Sequence, residues 1–163
     1  MPNKIKKPEL LAPAGDMERL MAAVKYGADA VYLGGTTFGM RAAPQNFSDE
    51  ELKIAVDYCH ERGVKVYLTC NVLPRNDELS ELPSFLENAK TAGVDALIIQ
   101  DIGFAGHIRK VLPDIELHAS TQMTVHNLEG ALQLQNLGFS RVVLARELSI
   151  EEIKYIRQNT TIE

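Results

Sequence analysis

The chain has 163 residues, 45% hydrophobic and 24% charged, which is the composition of an ordinary globular domain with enough apolar side chains for one full core. Its net charge of −5 argues against a nucleic-acid grip built on bulk charge, while leaving room for a local basic patch. Apolar runs of a few residues exclude a membrane-spanning helix, no long apolar stretch of a secretory signal follows Lys4, Lys6 and Lys7, and two cysteines without a close pairing, Cys59 and Cys70, fit a reducing cytoplasm.

Residues 1–8 read as a polar leader, and Glu9–Pro13 as a first strand. Ala14-Gly15-Asp16 turns that strand into a helix, with the Asp16 carboxylate placed to accept the free N–H groups of the first turn. The helix runs to about Tyr26, and Ala30–Leu33 is the second strand. A longer loop to Phe47 carries Arg41 and Pro44. Ser48-Asp-Glu-Glu51 is a capping box for the next helix, whose apolar stripe is Leu52, Ala55, Val56 and Cys59. The third strand is Val64–Cys70, the third helix runs from about Ser80 to Ala92 with Pro83 tolerated in its first turn, and the fourth strand is Val94–Gln100. A short helix over about Phe104–Val111 stops before Pro113. A fifth strand, Ile115–Ala119, is followed by a helix from about Val125 to Leu137, and Arg141–Ala145 is the sixth strand. Ser149-Ile-Glu-Glu152 is a second capping box, and Thr160–Glu163 can begin a seventh strand.

One phrase recurs through this series. A helix ends on Gly27, Gly63, Gly93 or Gly138, an apolar run follows, and the run stops at polar residues. Glycine supplies the left-handed backbone that ends a helix, and a buried parallel strand explains the apolar run. Six βα units without linkers fit an open doubly wound sheet or an eight-unit barrel. No Gly-x-Gly-x-x-Gly follows the first strand, so the dinucleotide-binding form of the open sheet loses support. Alternation favours the barrel. Val64, Val66, Leu68 and Cys70 oppose Lys65, Tyr67, Thr69 and Asn71, and Ile115, Leu117 and Ala119 oppose Glu116, His118, Ser120 and Gln122. Such strands show one apolar face to helices and a more polar one to a barrel interior. Eight units normally need about 250 residues, so the expectation is a TIM-like (β/α) barrel with about six of eight units present, residues 1–163 forming its N-terminal part. Six strands leave two sheet edges open, which predicts self-association.

In barrel enzymes the C-terminal ends of the strands carry the active site. The residues expected there are Asn71, Gln100, Asp101, Ser120, Gln122, Arg146 and Glu147, with Arg41 in reach from the second loop. Asp101 and Glu147 are the candidate acid–base groups. Arg41, Asn71, Gln122 and Arg146 are the candidate binding groups, an Arg holding a carboxylate or phosphate by a forked pair of hydrogen bonds. Of Gln100 and Asp101 only one can face inward, and Asp101 is the choice, because Gly103 lets a loop approach it. Arg146 is expected to lean to the rim and Glu147 to face the mouth. The plainer reading makes Asp101 a helix cap and Arg146–Glu147 an ion pair at the rim. The mouth so drawn suits a small anionic or amide-bearing ligand. His118 is a candidate base or a satisfied interior group, and Cys59 a small buried hydrophobe. No nucleophile–His–acid arrangement and no His-Glu-x-x-His spacing is legible.

Several stretches together resemble a known family. They are Leu10-Leu-Ala-Pro-Ala-Gly15, Gly27-Ala-Asp-Ala-Val-Tyr-Leu-Gly34, Asn71, Asp101-Ile-Gly103, Ser120-Thr-Gln122 with Asn127, and Arg146-Glu147. In order and over nearly the whole chain, they resemble the collagenase-like peptidase family of unknown catalytic type, number 32 of that class. The resemblance implies a barrel-type fold. It also implies either peptidase activity, from which the family takes its name, or oxygen-independent hydroxylation of tRNA, ribosomal RNA or a quinone precursor with an iron–sulfur cluster. In that family the cysteine-rich signature lies downstream of the barrel region, and Cys59 and Cys70 do not match it. The expectation is therefore no cofactor in this chain, a cluster only in a complete protein, RNA contacts only through further C-terminal regions, and inactivity of this piece alone. A non-catalytic half-barrel used for assembly is the third reading.

Overall fold

The computed structural model describes residues 7–39 and 46–163. Six strands form one parallel sheet in the order β1 (Leu11–Pro13), β2 (Ala30–Gly34), β3 (Lys65–Cys70), β4 (Ala96–Ile99), β5 (Glu116–Ala119) and β6 (Arg141–Val142). Between and after them run α1 (Met17–Lys25), α2 (Asp49–His60), α3 (Leu82–Ala92), α4 (Ile102–Val111), α5 (Leu128–Asn136) and α6 (Ile150–Asn159). Each strand pairs with the next in sequence, with no reversal of order. A doubly wound sheet reverses its strand order at a switch point, whereas a barrel winds in one direction. The fold is a partial (β/α) barrel.

The local reasons follow the sequence closely. Asp16 accepts the Arg19 N–H at the start of α1, and Ser48 and Ser149 form reciprocal capping boxes with Glu51 and Glu152. The helices α1, α2, α3 and α5 are followed by Gly27, Gly63, Gly93 and Gly138, and these are the four glycines with positive φ among the described residues. That is the backbone state in which a side chain is strained and glycine is not. The third helix is preceded by a 3₁₀ turn over Glu78–Glu81, with Pro83 inside its first turn. The fifth begins later than the sequence predicts, because Thr121–Met123 forms a 3₁₀ turn and Asn127 caps α5.

Two apolar clusters show which way the sheet faces. The larger lies between strands and helices and contains Val66, Leu68, Cys70, Leu97, Ile99, Leu117 and Ala119. The smaller lies on the other face, where Ala30, Tyr67 and Ala96 pack with Leu11 and Ile98. One face is thus helix-covered and the other is a barrel interior. Beyond β6, Glu163 N–H donates to Ser140 O at 3.0 Å, and Val142 N–H donates to Glu163 O at 2.7 Å. This is the pattern of a parallel strand beginning beside β6. Among the described residues no helix is long and apolar enough to cross a membrane.

Candidate functional site

All six strands run the same way, so the residues that follow them gather at one end of the sheet. A cavity of about 590 Å³ opens there, against the interior face of β1, β2 and β3 and the turn after β5. Asn71 and Gln122, both expected at the mouth, line it together. Asn71 Nδ2 donates to Gln122 Oε1 at 2.8 Å, and Ser120 Oγ donates to the same oxygen at 3.3 Å. Ser120 Oγ also accepts the Gln122 N–H at 3.3 Å, which folds the 3₁₀ turn back over the mouth. Thr69 supplies a further hydroxyl and donates to Leu33 O at 3.1 Å. At Gly34 a Cβ would meet Thr69 Oγ1 at 3.4 Å and Asn46 Oδ1 at 3.6 Å, so the missing side chain keeps the cavity floor open.

The other expected site residues are placed differently. Asp101 does not line the cavity. Its carboxylate accepts the Phe104 N–H at 3.1 Å and caps α4. The inward choice of Asp101 over Gln100 is corrected: Gln100 has the parity of Ala96 and Ile98, and its Oε1 is buried without a hydrogen-bond partner. Gly103 has a different reason from the one expected. A Cβ there would come within 2.8 Å of Asp101 Oδ1, so the glycine makes room for the cap. Arg146 and Glu147 are both exposed in the turn after β6 and lie outside the cavity lining, so Glu147 does not face the mouth. Arg41 lies outside the described residues.

Sequence reasoning missed Arg19 and Tyr32, which both line the cavity. Arg19 belongs to the first turn of α1, and its guanidinium pairs with Asp16. Tyr32 shares the interior parity of Ala30 and is 37% exposed. The alternation of β2 was the available signal for Tyr32. For Arg19 the signal was its place three residues after a helix cap at a strand's C-terminal end.

The opposite end of the interior is closed by a charged network. Arg141 Nη1 donates to Glu9 Oε1 at 2.8 Å, and its Nη2 donates to Glu163 Oε2 at 2.9 Å. Tyr67 OH donates to Glu9 at 2.9 Å, and the Tyr67 ring meets the His118 ring edge-on at 4.7 Å. Burial works to raise the Glu9 pKa, but hydrogen bonds from Arg141 and Tyr67 outweigh it and the net shift is downward. Burial and the Glu9 contact push the Tyr67 phenol up to about 12. Burial holds the His118 pKa below its ordinary value, against the pull of Glu116, whose Oε2 lies 3.2 Å from Nε2. His118 is a satisfied interior group, paired with Glu116 and packed on Tyr67; it is in register with Thr69 through Ile98 but does not line the cavity.

The described residues do not fit an iron–sulfur cluster. Cys59 on α2 and Cys70 on β3 are both buried between sheet and helices. Burial raises both thiols, Cys59 to about 11, which disfavours the thiolates a cluster needs. No group of three or more His, Cys, Asp or Glu suited to a metal occurs among the described residues.

Comparison with known proteins adds the family. The profile described as peptidase family U32 matches residues 15–163. The chain is 40% identical over 158 residues to the tRNA hydroxylation protein P1 of Bacillus subtilis, covering 97% of this chain and 37% of that protein. It is 41% identical over 157 residues to the 23S rRNA 5-hydroxycytidine C2501 synthase of Escherichia coli, covering 95% and 23%. A collagenase of Porphyromonas gingivalis is 36% identical over 151 residues, covering 92% and 36%. The chain therefore spans well under half the length of these relatives. Among solved structures, a U32 peptidase matches with a TM-score of 0.79 at 20% identity, covering 96% of this chain and 67% of that one; this supports the fold alone.

Proposed function

The chain belongs to peptidase family U32, and from that premise we propose that it is the barrel portion of an RNA hydroxylation protein whose mouth cavity holds the nucleotide to be modified. The observation that carries this reading is the chemistry of the lining. Asn71, Gln122, Ser120 and Thr69 present neutral amides and hydroxyls around about 590 Å³. Such groups match the donors and acceptors of a base edge. An unpaired base turned out of its strand is the form in which enzymes reach base atoms. The names of the Bacillus subtilis and Escherichia coli relatives point to tRNA and ribosomal RNA as the substrate class. A cytoplasmic setting belongs to the same reading.

The peptidase alternative draws on the collagenase relative. A hydrolytic nucleophile needs a base within hydrogen-bond reach. Ser120 Oγ instead donates to Gln122 Oε1, and no histidine lines the cavity among the described residues. The barrel supplies binding and orientation in this account. Oxidation chemistry is assigned to further parts of a longer protein, since no cluster-binding set occurs among the described residues.

The test is deletion of the gene in its source organism, followed by mass spectrometry of nucleosides from total tRNA and ribosomal RNA. Loss of a nucleoside one oxygen heavier than its parent, restored by the gene, is the expected result. Unchanged RNA together with lost collagen cleavage would favour the peptidase.

A further inference from the structure

The mouth cavity combines two features that the hydrogen-bonding lining does not use. Arg19 enters from the first turn of α1, and Tyr32 from the interior face of β2. Between them Pro13 and Gly15 carry no polar side chain. Gly15 leaves the Arg19 side chain lying over the backbone, where a Cβ would already be in contact with Nη1 at 3.6 Å. Asp16 fixes that side chain. Its Oδ1 accepts the Arg19 backbone N–H at 2.8 Å, and its Oδ2 pairs with Nη1. A guanidinium has five N–H donors in a rigid fork. The Asp16 contact occupies Nη1 and holds the plane, while the side chain is still 63% exposed. Among the described residues, Arg19 is the cationic side chain of this cavity.

We propose that Arg19 and Tyr32 form a nucleotide subsite, in which the Tyr32 ring stacks on the base and the Arg19 fork holds the 5′-phosphate, with Asp16 as its positioning residue. The proposal rests on the RNA reading of the same cavity and adds which groups select a nucleotide over a nucleoside. Base stacking on an aromatic ring is tolerant of base identity. A charge-assisted bond from a preoriented fork adds the preference for phosphate. Because Asp16 offsets the net charge, directionality matters more than charge, and Arg19→Lys does not replace the fork.

The experiment titrates the full chain with cytidine 5′-monophosphate, cytidine and inorganic phosphate, following backbone amide resonances of Gly15 and Gly34. Cytidine 5′-monophosphate is expected to bind about tenfold more tightly than cytidine, the contribution of one charge-assisted contact. Arg19→Gln and Arg19→Lys are expected to abolish that ratio while leaving cytidine affinity unchanged. Tyr32→Leu is expected to weaken both ligands by the same factor, with thermal unfolding confirming a folded chain. Equal affinity of the wild type for both ligands, a ratio that survives Arg19→Gln, binding of neither ligand, or shifts confined to residues outside the mouth would each overturn the subsite. Failure of the RNA reading is seen separately, as unchanged RNA after gene deletion.

Discussion

Asn71 Nδ2 donates to Gln122 Oε1 at 2.8 Å, and this bond joins the end of β3 to the turn after β5, across β4. Fifty-one residues apart in sequence, the two amides meet because parallel strands bring their C-terminal ends to one level. Replacing either by Ala removes a partly buried hydrogen bond, at a net cost of about 1 kcal/mol. A double-mutant cycle in urea unfolding is expected to give a coupling of about 0.5–1.5 kcal/mol. Additive losses would mean that the pair is incidental.

The interior network predicts two separate pH windows. The folded pKa of His118 is lowered from 6.5, first by burial. Below that ordinary value the unfolded chain takes up a proton that the folded chain resists, so stability falls as pH drops through it. Glu9 has a folded pKa lowered from 4.5. Its contribution is present above the ordinary value and is lost as pH falls through the folded one. Unfolding curves measured across pH are expected to lose their upper limb in His118→Gln and their acid limb in Glu9→Gln. Parallel curves for wild type and both variants would refute this.

The thiols provide a test of the packing between sheet and helices. Cys59 and Cys70 are both fully buried, and burial raises both above the ordinary thiol range. Neither is expected to react with iodoacetamide at neutral pH in the folded chain, and both should react in concentrated urea. Mass spectrometry counts the adducts. Rapid labelling of the native chain would show that β3 and α2 separate readily.

The parts of the fold that the sequence disclosed are those set by local chemistry. Gly27, Gly63, Gly93 and Gly138 mark four helix ends because only a residue without Cβ takes that backbone cheaply. Ser48 and Ser149 carry their own caps three residues ahead. Alternation in β3 and β5 separated the helix side from the interior, and Asn71 followed from that parity, whereas Gln122 reaches the mouth through the 3₁₀ turn over Thr121–Met123, where strand alternation has ended. Asp101 was misplaced because two local demands compete at a strand end. A carboxylate beside a helix start is captured by the free N–H groups, and the interior position passes to Gln100. Arg141 and Glu9 could not be paired from sequence, since 132 residues separate them and each alone reads as a surface charge. Arg19 escaped for a related reason: its place in the mouth depends on how α1 leaves β1.

A complementation experiment tests most directly whether the mouth of this partial barrel holds the nucleotide to be modified. Cells lacking the gene are supplied with either the natural gene or one carrying Asn71→Ala and Gln122→Ala, at equal protein abundance, and their tRNA and ribosomal RNA nucleosides are compared by mass spectrometry. Nucleotide binding at the mouth predicts that the natural gene restores a nucleoside one oxygen heavier than its parent and that the double variant restores less than about a tenth of it, the loss expected when two polar contacts to a bound base disappear. Full restoration by the double variant, or RNA that never changes with the gene, would contradict it.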